Sequence, residues 1–142
     1  KEVPLPCKYI GLDIVTEVIE ENQQKYTTES RAFYHHNAVE DQLPDESDIV
    51  LCREVLFHLS FEDGIKLIEQ VVNSNARYFF TTTSVELEKN KDIRTGQFRN
   101  INLLLPPYNF PPFIKKIKDS ESVSKDRYLA IWDVQAIRER KV

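Results

Sequence analysis

The chain has 142 residues, 41% apolar and 30% charged, which fits one soluble globular domain or most of one. Its net charge of −4 leaves no basic footprint for nucleic acid. No apolar run reaches the length of a membrane span, and the start carries no signal-peptide pattern, so a cytoplasmic protein is expected.

Pro4 and Pro6 mark Lys1–Pro6 as a loop. Lys8–Asp13 then reads as a strand whose apolar run ends on a carboxylate. A helical pattern follows at once over 15–26, with acids near its start and Val15, Val18, Ile19 and Tyr26 as its buried stripe. An acid at the carboxyl end of a strand in an open parallel sheet lies where ligands bind. Its two oxygens can accept from the vicinal hydroxyls of a ribose. The competing reading of Asp13 is a plain helix cap.

Arg31–His36 reads as the second strand, and His35 and His36 would point to opposite faces of it, so no shared metal is expected. The acidic stretch 40–47 carries Pro44 and reads as a surface connection. Asp48–Cys52 is a continuous apolar strand, a pattern that suits cover on both faces. Ser60 and Asp63 have capping-box spacing ahead of a helix with Phe61, Ile65, Ile68, Val71 and Val72 as its stripe. Arg77–Thr83 is the next strand. A long polar stretch, a proline-aromatic stretch over 103–113, a charged turn over 115–125 and a last strand, Arg127–Asp133, complete the pattern. Gln135–Val142 reads as a polar tail. Alternating strands and helices argue for an α/β sheet, with a late antiparallel pair added at its edge.

Cys7 and Cys52 lie far apart, and Cys52 sits in an apolar run, as a buried free thiol does. The chain lacks Met and opens on Lys1, which points to a processed or truncated piece. Its three glycines, Gly11, Gly64 and Gly96, are too scattered to form a glycine-rich cofactor loop.

Tyr-Ile-Gly-Leu-Asp at 9–13, His-His-Asn-Ala at 35–38 and the run from Asp48 to Leu59 together resemble a class I S-adenosylmethionine-dependent methyltransferase. The stretch 90–112 is similar to a small bacterial-type subgroup of uncharacterised members. The resemblance implies a Rossmann-like sheet, mostly parallel with an antiparallel C-terminal strand pair, and one partial methyltransferase domain over 1–142. It implies S-adenosylmethionine as cofactor, with Asp13 and Ile14 at the ribose, Asn37 and Ala38 near the adenine, and Arg53 and Glu54 bordering the site. Asn37 stands where Asp is common in the family, and is expected to hydrogen-bond the adenine amino group. The family's first strand and its glycine-rich loop would precede Lys1. A further N-terminal segment, a rearranged sheet or a partner chain is then expected to complete the sheet.

The implied reaction is methyl transfer to an oxygen or nitrogen of a small-molecule acceptor. His58 is the candidate base, against the plainer reading of a packed histidine. Asp92, Arg99, Asn102 and Phe110 lie in a long connection whose anchors and aromatics suit an acceptor pocket. The charged pair Arg53 and Glu54 has the plainer reading of surface ion pairs. The alternative functions are a non-catalytic methyltransferase-like binding module and another nucleotide-binding α/β enzyme.

Overall fold

The computed structural model describes residues 6–119 and 126–140. The N-terminal loop before Pro6, the segment 120–125 of the charged turn and the last two residues of the tail lie outside the described residues. The chain forms two compact units, Lys1–Asp41 and Gln42–Val142.

The N-terminal unit is a βαβ unit: β1 (Tyr9–Asp13), α1 (Thr16–Tyr26) and β2 (Arg31–His35). β1 and β2 pair in parallel, with Gly11 opposite Phe33 and Asp13 opposite His35. Gly11 is required by packing, because a Cβ there would lie 2.5 Å from the Phe33 ring. Of the expected α1 stripe only Ile19 is buried; Val15, Val18 and Tyr26 are exposed. The apolar spacing marks a potential face, but burial needs a neighbour to cover it.

The C-terminal unit holds a four-stranded sheet in the order β3 (Ile49–Cys52), β4 (Tyr78–Ser84), β6 (Arg127–Asp133), β5 (Lys115–Lys118). β3 and β4 are parallel, whereas β4–β6 and β5–β6 are antiparallel. The early parallel strands and the late antiparallel pair match the expected order. The late partner strand falls at Lys115–Lys118, inside the stretch expected to be a turn.

The described strands thus form two sheets, with β1 laddered to β2 and β3 to β4. β3 is not covered on both faces as its continuous run suggested. Cys52 is buried, but Ile49 and Leu51 are 52% and 60% exposed on the other face. β3 is an outer strand of this sheet, and what packs over each face, not composition, sets the exposure of its side chains.

α2 (Phe61–Asn73) buries Gly64, Leu67, Ile68, Val71 and Val72. Phe61 and Ile65, which were also expected in the stripe, are only half-buried. α3 (Val134–Glu139) replaces most of the expected polar tail. Asp133 caps it, its Oδ1 accepting from the Ala136 N–H at 3.1 Å, and Val134 and Ile137 are buried. The spacing of those two apolar residues was the available signal. Trp132 is fully buried against Phe110 and Phe113 and donates to the Pro111 carbonyl at 2.8 Å.

The long stretch between β4 and β5 has no regular secondary structure, yet Asn90, Arg99, Ile101, Asn102, Leu103 and Phe110 are buried in it. It is a packed part of the core.

Candidate functional site

In the N-terminal unit, Asp13, Ile14, Asn37 and Ala38 gather at the carboxyl end of the parallel β1–β2 pair, where the His36 N–H donates to the Asp13 carbonyl at 2.9 Å. One carboxylate oxygen of Asp13, Oδ1, accepts from the Val15 N–H at 2.9 Å and guides the chain into α1. The helix-entry reading is therefore physically present. It occupies one oxygen only: Oδ2 accepts no hydrogen bond among the described residues. Asn37 orders the following turn. Its Oδ1 accepts from the Val39 N–H at 3.1 Å, and its own N–H donates to Asp41 Oδ2 at 2.9 Å. The Asn37 Nδ2 group has no partner among the described residues, and Oδ1 keeps a second lone pair, so this side chain can still both donate and accept. Ile14 is exposed and Ala38 half-buried. The Nε2 atom of neighbouring His36 is buried without a partner among the described residues.

In the C-terminal unit, a 3-10 turn at Leu56–His58 carries the chain from β3 towards α2. Arg53 forms a bidentate ion pair with Asp119, at 3.1 Å. Glu54 pairs with Arg127 at 2.6 Å. Both side chains are thus engaged in ion pairs within this unit. His58 is exposed, with its ring 5.4 Å from Phe98. Its Nδ1 lies 3.0 Å from the Gln97 carbonyl. A carbonyl only accepts, so Nδ1 carries the proton, and Nε2 is the basic nitrogen of the neutral ring.

Arg99, expected on the acceptor, is only 8% exposed and points into the protein. Its guanidinium donates to the carbonyls of Lys91 at 2.7 Å and Leu56 at 3.1 Å and to the Tyr108 hydroxyl at 3.2 Å, and it stacks 5.2 Å over Phe61. Asp92 accepts from the Phe61 N–H at 2.7 Å and so caps α2. Ser60 Oγ accepts from Asp63 N–H at 3.1 Å, one half of the expected capping box. The other half is relayed: Thr95 Oγ1 accepts from the Ser60 N–H at 3.0 Å and donates to Asp63 Oδ2.

Asn102 Nδ2 donates to the Val85 and Leu87 carbonyls, while Asn90 Oδ1 accepts from the Asn102 N–H. Phe110 packs between Phe79 and Trp132. The polar atoms of Arg99 and Asn102 thus bind the segment to itself and to the 3-10 turn. Any part they play in acceptor binding is through the shape they give that segment. The sequence reading overlooked Arg127, Thr95 and the clamp role of Asn90, whose partners are remote in sequence.

A cleft of about 370 Å³ lies beside this segment, lined by Phe61, Asn90, Leu105, Pro106 and Pro107, with Glu88 and Lys89 also in its wall. Gly64 permits the close approach of the neighbouring Tyr108, since a Cβ there would lie 2.8 Å from the Tyr108 hydroxyl. Gly64→Ala is expected to lower stability by about 1–2 kcal/mol by displacing that hydroxyl from Arg99. With Tyr108→Phe the clash is gone, and the same change should stabilise by up to about 1 kcal/mol through helix propensity. Thermal melts of the four proteins test the change of sign.

Burial holds the Tyr108 hydroxyl above its usual titration range, against the pull of Arg99. Burial pushes the Cys52 thiol up to about 12, so it is inert as a nucleophile. Among the described residues no group of three or more His, Cys, Asp and Glu side chains could hold a metal. No helix is long and apolar enough to cross a membrane, among the described residues.

The family model described as a methyltransferase domain matches residues 2–80, a stretch that runs through both units. The chain belongs to this methyltransferase-domain family. Human N-acetylserotonin methyltransferase, solved in complex with SAM (S-adenosylmethionine), is similar in fold. It shares 16% identity at a TM-score of 0.63, over 89% of this chain and 40% of that one. The N-methyltransferase NodS from Bradyrhizobium japonicum shares 13% identity at a TM-score of 0.61, over 89% of this chain and 72% of that one. A structure described as a pericyclic reaction enzyme shares 10% identity at a TM-score of 0.63, over 91% of this chain and 37% of that one. The chain thus spans about two-fifths of the length of the first and the last of these. None of the curated proteins matches it. The fold is the α/β, Rossmann-like methyltransferase fold, with parallel and antiparallel strands.

Proposed function

We propose that the chain serves a SAM-dependent methyltransferase acting on an oxygen or nitrogen of a small-molecule acceptor. The single observation that carries this reading is Asp13, a carboxylate at the carboxyl end of a parallel strand with one oxygen free. That free oxygen fits a ribose hydroxyl, and Asn37, with its Nδ2 donors and a second Oδ1 lone pair, fits the adenine amino group or an acceptor nitrogen of the ring. SAM, when bound, supplies an electrophilic methyl group on its sulfonium. Asp13 and Asn37 would hold the adenosine end, with the main chain at Ile14 and Ala38 bordering it in the N-terminal unit; Arg53 and Glu54 are proposed as cofactor residues from the resemblance alone.

In the C-terminal unit the cleft beside the 90–110 segment, with its apolar Phe61, Leu105, Pro106 and Pro107 wall, is the proposed acceptor site. Asp92, Arg99, Asn102 and Phe110 give the segment its shape. His58 Nε2 is the proposed base, taking the proton from the acceptor hydroxyl or amine. A single domain and a cytoplasmic location belong to the same proposal. The fold alone does not decide the chemistry, because the structural relatives include an enzyme described by a pericyclic reaction.

The test is transfer of a labelled methyl group from SAM to a panel of small phenols, alcohols and amines. Labelled product is expected from a protein that carries this chain together with the family's glycine-rich loop, and there His58→Ala should lower kcat about 100-fold or more, with KM for SAM unchanged. SAM binding without product from any acceptor would favour a binding module. Unchanged kcat in His58→Ala would remove the base from the mechanism.

A further inference from the structure

β5 is the second outer strand of the four-stranded sheet, and among the described strands β6 is its only neighbour. All four of its residues, Lys115, Lys116, Ile117 and Lys118, are exposed. Just past its end the Asp119 N–H donates to the Arg127 carbonyl at 3.0 Å. That bond continues the β5–β6 register, so the alternation of an antiparallel ladder turns the peptide groups of Lys116 and Lys118 away from β6. β5 thus presents a free backbone edge, to which an extended segment can add as a further strand.

Its side chains select the segment. The stretch 103–118 holds no Asp or Glu, although the chain carries a net charge of −4. None of the three lysines forms an ion pair among the described residues. Lys116 Nζ lies 4.3 Å from the Tyr128 ring centroid. Lys115 and Lys118 project from opposite faces of the strand, and Ile117 between them is 50% exposed. Like charges on an outer strand discourage two copies from pairing, whereas an acidic strand meets attraction at each lysine.

We propose that the free edge of β5 binds an acidic, extended protein segment by strand addition. Carboxylates lie opposite Lys115, Lys116 and Lys118, and an apolar residue lies opposite Ile117. The surface belongs wholly to the C-terminal unit, and its occupancy requires no SAM.

The experiment titrates the isotope-labelled full chain with the capped peptide Thr-Glu-Glu-Val-Glu-Glu-Thr, whose pattern is the same in either strand direction. Saturable resonance shifts over 114–118 are expected, with hydrogen exchange at the Lys116 and Lys118 amides slowed about tenfold or more. Lys115→Glu combined with Lys118→Glu should weaken binding of this peptide about tenfold or more. Both positions are exposed, so the fold should persist in the double variant. That variant should in turn bind the peptide carrying Lys in place of each Glu more tightly than the unaltered chain does.

Shifts without slowed exchange would mean charge attraction with no added strand, and would overturn the proposal. So would equal affinity of the unaltered and doubly changed chains for the acidic peptide, or no shifts over 114–118 at saturating peptide. Concentration-dependent broadening confined to β5 without peptide would also overturn it, assigning the edge to a second copy of the chain.

Discussion

Arg99→Ala is expected to lower the free energy of unfolding by about 3 kcal/mol or more, read as a shift in the urea midpoint. The guanidinium is buried, and it links the Lys91 carbonyl, the Leu56 carbonyl and the Tyr108 hydroxyl while stacking on Phe61. Truncation strips these acceptors of their donor and leaves a cavity between the 3-10 turn and the 90–108 segment. Hydrogen bonds to charged groups contribute about 1.5–3 kcal/mol each, and the loss is not additive. Arg99→Lys keeps the charge but has no planar fork to reach all of these partners, so an intermediate loss is expected. A loss below about 0.5 kcal/mol, the range of ordinary surface changes, would mean that the segment is held by its apolar anchors alone.

Asp13→Ala is expected to weaken SAM binding by about 1.5–3 kcal/mol, or roughly 10- to 150-fold. The same change removes the acceptor for the Val15 N–H, so stability should also fall by about 1 kcal/mol. Asp13→Asn separates the two effects. Its amide oxygen can still receive the Val15 N–H and keep α1 in place, but it brings no negative charge to the ribose. Stability near that of the unaltered chain with weakened binding is the expected pair of results. Unchanged affinity in both variants would leave Asp13 with the helix-entry role alone.

Asp13 was legible because its information is local: an apolar run, an acid and a helical pattern within a few residues. The Ser60 cap was legible for the same reason. Arg99 was not. An arginine in a polar stretch reads as an anchor for a ligand, and its Leu56 and Phe57 acceptors are more than 40 residues away in sequence. Arg127 hides in the same way, since its partner Glu54 lies 73 residues upstream. Strand identity was readable for β3, but its open face was not, because exposure of Ile49 and Leu51 depends on what packs against them. For Asn37, the sequence supplied an amide that both donates and accepts. Only the local turn shows that one lone pair of the oxygen is taken by the Val39 N–H, while the donors have no partner among the described residues.

The most direct measurement of the central claim is a titration of the isotope-labelled chain with SAM, followed through its backbone amide resonances. The account predicts saturable shifts at residues 13–15 and 37–39, around Asp13 and Asn37, which are diminished in the Asp13→Ala protein. No shifts at saturating SAM would contradict it. So would shifts confined to the polar cleft of Ser74, Arg77, Gln135 and Arg138 at the amino end of β4.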